Sequence, residues 1–203
     1  MSGAAITKAF EGLSSATVHE ALGWVGALPP RIKPLVPTMR VLGPAFPVQC
    51  RPGDNLALHM ALAEAPAGSV LVGAAQGDLG YGAWGEVLTV SAMARGLAGF
   101  VFDGSVRDFH ETVGLGFPVF AAGLSIRGTV KSYRPDAIPA EVLIGDVAVR
   151  PGDLVLGDAD GVVVVPRDRI ADAPALSLAR MKKEDDMMAA LRAGKTTVEL
   201  MGL

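Results

Sequence analysis

The run Gly99-Phe100-Val101-Phe102 constrains the fold most strongly. It reads as a short, apolar, buried-looking strand that passes straight into a glycine turn, Asp103-Gly104-Ser105-Val106. Arg107 and Asp108 then stand side by side. Upstream, residues 69–74 carry Val70, Leu71 and Val72 and predict a second apolar strand. A glycine-rich stretch follows, Gly77-Asp78-Leu79-Gly80-Tyr81-Gly82-Ala83-Trp84-Gly85. Residues 86–95 predict a helix with Val87, Leu88, Val90, Ala92 and Met93 apolar, ended by Gly96. A short helix or turn over 108–113 and a strand over 118–121 complete a β–loop–α–β–loop–β order. That order is the alternation of an α/β sheet with parallel strands.

The flanks add to this core. Residues 13–23 predict a helix that Ser14 or Ser15 could cap. Pro29, Pro30, Pro34 and Pro37 mark an extended, turn-rich crossing. Residues 41–51 are strand-like, and Asp54 can cap a helix over 55–65. After Pro135 the pattern becomes short strands at 141–144, 147–149, 153–157 and 161–165. Asp/Gly-rich turns such as Gly145-Asp146 and Asp158-Ala159-Asp160-Gly161 separate them and predict hairpins. Residues 167–194 predict one long C-terminal helix, its apolar face interrupted by Lys182-Lys183-Glu184-Asp185-Asp186. No repeat or linker divides the 203 residues, so one domain over 1–203 is expected.

Composition narrows the function. Half the residues are apolar and the mean hydropathy is +0.39. No stretch reaches the roughly 18 uncharged apolar residues of a membrane span, so the surplus predicts a core plus a subunit interface. With a net charge of −3 and no basic run, the footprint of a nucleic-acid binder is missing. Cys50 is the only cysteine, and His19, His59 and His110 are scattered without metal-ligand spacing. The N-terminal residues show no secretory pattern, which favours the cytoplasm.

Three groups could carry chemistry. The first is Gly85-Glu86-Val87-Leu88. A helix starting here leaves its first amides without partners, ready for a carboxylate or oxyanion. Alternatively, the stretch is a flexible turn capped by its own residues. It has neither the Lys-Ser/Thr ending of a phosphate-binding loop nor a dinucleotide fingerprint, so a nucleotide cofactor is not expected. The second group is Arg107-Asp108, at the carboxyl end of a strand, where ligands of α/β folds gather. Arg presents a planar fork to a carboxylate, and Asp is one hard ligand for Mg²⁺ or Mn²⁺. A surface ion pair, or an Asp cap for the next turn, is the alternative. The third is Glu86, separated from Arg107 by 20 residues, which either holds a metal-bound water or acts as base, or simply suits the helix dipole.

At these residues the chain resembles the RraA-like family. That family includes 4-hydroxy-4-methyl-2-oxoglutarate / 4-carboxy-4-hydroxy-2-oxoadipate aldolases and a regulator of ribonuclease E. The resemblance runs from Ser14-Ser15-Ala16-Thr17-Val18 and Pro52-Gly53-Asp54-Asn55 through Gly85-Glu86-Val87-Leu88 and Asp103 to Asp108. It extends to Pro151-Gly152-Asp153-Leu154-Val155 and Gly157-Asp158-Ala159-Asp160-Gly161-Val162. It implies a swivelling β/β/α fold like the phosphohistidine domain, in a homotrimer or homohexamer with sites between subunits. It also implies that the amides of Gly85, Glu86, Val87 and Leu88 bind the pyruvoyl end of a small 2-oxo acid, while Arg107 binds its carbonyl and stabilises the enolate. Asp108 would be the direct ligand of Mg²⁺ or Mn²⁺. Glu184 on a neighbouring subunit's C-terminal helix, with Asp185 second, would complete the metal's water shell. Glu86 stands where the aldolases are expected to have Asp. The regulators do not keep the acidic residue of the Arg-Asp pair, and this chain does.

The activity implied is metal-dependent retro-aldol cleavage of a 4-hydroxy-2-oxo acid to pyruvate, with oxaloacetate decarboxylation as a side activity. The alternatives are a non-catalytic regulator that binds a ribonuclease, and a Schiff-base aldolase. The latter needs a buried lysine, for which Lys131 is the least implausible candidate.

Overall fold

The computed structural model describes residues 3–203. Two short helices, α1 (Gly3–Ala9) and α2 (Ser15–Ala21), lead into a two-residue strand, β1 (Lys33–Pro34). Ser14 caps α2, its hydroxyl accepting from Thr17 N–H at 3.1 Å. The centre is four parallel strands: β2 (Val41–Gln49), β3 (Val70–Gly82), β4 (Gly99–Val106) and β5 (Val119–Leu124). Helices α3 (Leu56–Glu64), α4 (Glu86–Ala94) and α5 (Phe109–Gly114) connect them in turn. A hairpin of β6 (Val142–Ile144) and β7 (Val147–Val149) stands apart. Strands β8 (Leu154–Asp158) and β9 (Gly161–Val165) then add antiparallel to β2.

The resulting seven-stranded sheet has the order β1-β5-β4-β3-β2-β8-β9. It curls until its edges nearly meet: the Lys33 ammonium donates to the carbonyl of Asp160 in the β8–β9 turn, and Ala27 bridges Val163. The α/β domain that the sequence implied is present, and the structure adds that its sheet is mixed and nearly closed. Every residue of β4 is buried. Phe100 and Phe102 pack with Leu58, Leu62 and Leu88 of α3 and α4, while Val101 joins Val70, Val72, Phe120 and Val155 inside the curl. A strand covered on both faces must be apolar without alternation, which explains the run that opens the sequence argument. A third cluster, Phe10, Leu13, Val18 and Leu22, seals the outer face of β8 and β9.

Two expectations need correction. The glycine-rich stretch over 77–85 is mostly not a loop, because β3 continues through it to Gly82 with register shifts after Ala74 and Asp78. Gln76 (φ 56°) and Gly77 (φ 71°) adopt left-handed backbone there, which lets the strand bulge and resume pairing. Likewise β4 runs on through Asp103-Gly104-Ser105. Buried Asp103 accepts from Arg31 at 2.7 Å and from Gly77 N–H at 2.9 Å, fastening the bulge to β4.

The C-terminal region also differs. The single helix expected over 167–194 is a 3-10 turn (Arg167–Arg169) and then α6 (Ala173–Arg192); a further helix, α7 (Thr197–Met201), follows it. Pro174, at the start of α6, lacks the amide that a continuous helix would need. Helix α6 packs on α2, where Arg180 pairs with Glu20 and, at 2.9 Å, with Glu184. Among the described residues no helix is long and apolar enough to cross a membrane.

Candidate active site

Where β3 ends, α4 begins and β4 ends, a cavity of about 280 Å³ opens. Its wall includes Gly85, Val87, Leu88, Arg107 and Asp108, as the sequence led us to expect. It also includes Asn55 and His59 of the α3 region and Gly128, Thr129 and Lys131 from the segment after β5.

Local packing fixes the mouth. Buried Trp84 stacks on Phe100, with ring centroids 3.8 Å apart, and its indole N–H donates to Thr89 Oγ1 at 2.8 Å. Thr89 Oγ1 in turn donates to Gly85 O at 3.0 Å. A buried stacked pair of this kind is worth about 0.5–1.5 kcal/mol beyond its area. Arg107 N–H donates to Trp84 O at 2.8 Å, so the end of β4 is tied to the residue that precedes the helix.

Asp108 closes the arrangement. Its Oδ2 accepts from Glu86 N–H at 3.1 Å and lies 3.5 Å from Arg107 Nε. Gly85 makes this approach possible: a Cβ there would sit 2.2 Å from Asp108 Oδ2. Since φ of Gly85 is −163°, the residue is needed for space and not for conformation. Asp108 itself is left-handed, with φ 52° and ψ 50°, a conformation that is uncommon outside glycine. Such backbone persists only where the surroundings over-determine it, and it concentrates at functional sites.

The remaining donors are free. Helix geometry leaves the amides of Val87 and Leu88 in the first turn of α4 without intrahelical partners. Among the described residues the terminal guanidinium nitrogens of Arg107 have no hydrogen-bond partner. The site therefore presents helix amides and a planar cation to an anion, with one carboxylate beside them. Asn55 Nδ2 donates to Ala83 O at 2.9 Å, and its buried Oδ1 has no hydrogen-bond partner among the described residues. No group of three or more His, Cys, Asp or Glu side chains able to hold a metal occurs among the described residues. One carboxylate still suits Mg²⁺, which typically keeps several waters and takes one or two carboxylates. Asp108 Oδ1, without a hydrogen-bond or ion-pair partner among the described residues, fits that role.

The expected site residues divide. Gly85, Val87, Leu88, Arg107 and Asp108 converge. Glu86 brings its backbone amide, while its side chain is exposed at the start of α4 and does not line the cavity. Glu184 lies on α6, paired with Arg180, outside the cavity wall. Asp185 is exposed on the same helix. Asn55 and His59 were missed as site residues, although Pro52-Gly53-Asp54-Asn55 marked their neighbourhood.

Asp54 explains how that neighbourhood is built. Asn55 holds the N-cap position of α3 without a side-chain bond, and Asp54, one residue earlier, caps the helix by accepting from its first amide, Leu56 N–H, through Oδ1 at 2.9 Å. Its Oδ2 accepts from Ser132 N–H, Ser132 Oγ and Tyr133 N–H, at 2.7 to 2.8 Å. Burial alone would raise its pKa, but these bonds outweigh burial and hold the carboxyl at about 2.

Comparison with known proteins places this geometry. The model of the RraA-like family, described as Aldolase/RraA, matches residues 15–164. The chain belongs to the RraA-like family. It is 38% identical over 177 residues to a Halalkalibacterium halodurans protein named "Putative 4-hydroxy-4-methyl-2-oxoglutarate aldolase", covering 87% of this chain and 83% of that one. Among solved structures, an uncharacterised Pseudomonas syringae protein superposes with a TM-score of 0.83 at 30% identity, over 96% of this chain and 92% of that one. A Streptomyces coelicolor RraAS2, described as an unusual member of the RNase ES inhibitor RraA protein family, superposes at 0.80 with 30% identity, over 92% and 98%. RraA-like proteins thus include both aldolase-named and inhibitor-named relatives of this chain.

Proposed function

We propose that this RraA-like protein is a divalent-metal-dependent aldolase. It cleaves a 4-hydroxy-2-oxo acid, such as 4-hydroxy-4-methyl-2-oxoglutarate, to pyruvate and decarboxylates oxaloacetate through the same enolate. The observation that carries this reading is the joint placement of Asp108, Arg107 and the free α4 amides at one cavity mouth. The aldolase-named relative supports it.

In this reading the amides of Val87 and Leu88 hold the substrate carboxylate. Arg107 donates to the 2-oxo oxygen and stabilises the charge that develops there. Asp108 would hold Mg²⁺ or Mn²⁺, which supplies Lewis-acid polarisation of the 2-oxo group when bound. Glu86, whose exposed side chain stands beside the lining residues Gly85 and Val87, is the acidic candidate to take the C4 hydroxyl proton, directly or through a water. The C3–C4 bond then breaks, its electrons form the pyruvate enolate, and the C4 oxygen becomes a carbonyl. Proton return to C3 completes pyruvate.

The exposed apolar side chains around the mouth, among them Val87, Leu124 and Ile126, support assembly into a trimer or a pair of trimers. In such an assembly Glu184 of a neighbour would reach the cation's water shell. The Schiff-base rival has one lysine in the cavity, Lys131, but it is exposed and not buried as that chemistry requires. The inhibitor reading has the Streptomyces likeness in its favour, while the carboxylate at position 108 favours the enzyme.

The test is pyruvate release from 4-hydroxy-4-methyl-2-oxoglutarate with Mg²⁺, with EDTA, and with borohydride plus pyruvate. Activity lost to EDTA and no borohydride inactivation is the expected result. Turnover that survives EDTA, or trapping at Lys131, would contradict it.

A further inference from the structure

Three carbonyls in a row, those of Ala83, Trp84 and Gly85, lead the chain from the end of β3 into α4, and each is held from a different part of the fold. Asn55 Nδ2 donates to Ala83 O at 2.9 Å, Arg107 N–H to Trp84 O at 2.8 Å, and Thr89 N–H to Gly85 O at 3.0 Å. Gly85 O accepts twice, because the Thr89 hydroxyl donates to it as well, also at 3.0 Å.

Thr89 stands one turn along α4. It is fully buried and does not line the cavity. Its hydroxyl is committed in both directions: it accepts from the indole N–H of Trp84 at 2.8 Å and gives its own proton to Gly85 O. A threonine bonded back to the carbonyl four residues earlier ordinarily gains a helix nothing. Here the second bond reaches beyond the helix. The C=O of Gly85 and the N–H of Glu86 belong to one rigid peptide plane. That N–H is the donor to Asp108 Oδ2 at 3.1 Å. Turning the plane to loosen one bond loosens the other, and each hydrogen bond in such a chain polarises the next. Gly85, as N-cap, has no side chain to brace this peptide, and Thr89 braces it from inside the helix. The relay runs from Trp84, stacked on Phe100 of β4, through Thr89 and the Gly85–Glu86 peptide to the carboxylate of Asp108. Asp108 has need of it, since left-handed backbone holds only where the surroundings over-determine it.

We propose that Thr89 is a positioning residue for the cation: its hydroxyl fixes the Gly85–Glu86 peptide and, through Glu86 N–H, the carboxylate of Asp108. The inference rests on the reading of Asp108 as metal ligand, and not on which substrate is cleaved. Thr89 itself touches neither substrate nor cation.

The experiment is titration calorimetry of the whole chain with Mn²⁺ and no substrate. Thr89→Val removes the hydroxyl at nearly constant shape, Thr89→Ala removes it in a residue that favours the helix, and Thr89→Ser keeps it. Thr89→Val and Thr89→Ala should each bind Mn²⁺ about 10-fold more weakly than wild type, the scale of one hydrogen bond. Thr89→Ser should retain the wild-type affinity. So should Leu22→Ala, destabilised by a cavity in the cluster over β8 and β9, which separates positioning from a general loss of stability. In nitrogen–proton spectra the indole N–H of Trp84, one of two tryptophans in the chain, should move in Thr89→Val and stay in Thr89→Ser. An unchanged affinity in either folded hydroxyl-free variant would overturn the proposal. So would an equal loss in Thr89→Ser or Leu22→Ala, or no Mn²⁺ binding by wild type. An indole signal unmoved in Thr89→Val would overturn the part given to Trp84. Mn²⁺ binding that depends on Thr89, in a protein that releases no pyruvate from a 4-hydroxy-2-oxo acid, would keep the positioning role and remove the aldolase.

Discussion

Asp108 Oδ2 accepts the backbone N–H of Glu86 at 3.1 Å, so the carboxylate two residues past the end of β4 rests on the first turn of α4. The contact exists because Gly85 has no side chain; a Cβ there would stand 2.2 Å from the same oxygen. Gly85→Ala should therefore displace Asp108 without unfolding the protein, since the extended backbone of Gly85 suits alanine. A misplacement near 1 Å at a reacting centre lowers turnover about 100-fold. Steady-state kinetics and a melting curve on the same variant check this. A melting temperature that falls in step with activity would point to a folding role instead.

Much of the fold was legible because burial dictates sequence so strongly in a parallel sheet. Phe100, Val101 and Phe102 are apolar without alternation, and both of their faces are covered. The helix at Glu86 was legible from its glycine and its apolar spacing. Less legible was the extent of β3 and β4, because a bulged strand and a loop share the same glycines. Gln76 and Gly77 turn the chain through left-handed backbone and then pairing resumes, which no local pattern encodes. The cavity wall around Lys131 was hidden for another reason. It depends on contacts between Asp54 and Ser132, 78 residues apart in sequence.

Those contacts also carry a pH signature. Asp54 has its carboxyl pKa lowered from 3.8 to about 2. A depressed pKa contributes stability above the unfolded value, and that stability is lost as pH falls from about 4 toward 2. The shift corresponds to about 2 kcal/mol at neutral pH. In urea titrations Asp54→Asn should be less stable than wild type by about that amount at pH 7. The gap should narrow as pH falls through 3. A gap independent of pH would show that the ionised carboxylate is not what holds Ser132 and Tyr133.

If Glu86 is the base of the proposed mechanism, its replacement should separate two reactions. Retro-aldol cleavage needs a proton removed from a hydroxyl, whereas oxaloacetate has none to remove. Glu86→Gln should lower pyruvate release from 4-hydroxy-4-methyl-2-oxoglutarate by about 100-fold or more, the usual weight of a positioned base. Oxaloacetate decarboxylation should fall much less. Equal losses in the two assays would remove Glu86 as the base and assign it an effect on α4.

The most direct test of the account is made at Asp108. Its left-handed backbone, φ 52°, recommends asparagine as the replacement, because asparagine tolerates that conformation and removes only the charge. Both reactions should be assayed with Mg²⁺ in wild type and Asp108→Asn. The account predicts that the wild type releases pyruvate from the hydroxy acid and from oxaloacetate, and that the variant loses about 1,000-fold or more in both. Full activity in Asp108→Asn, in either assay, would contradict it.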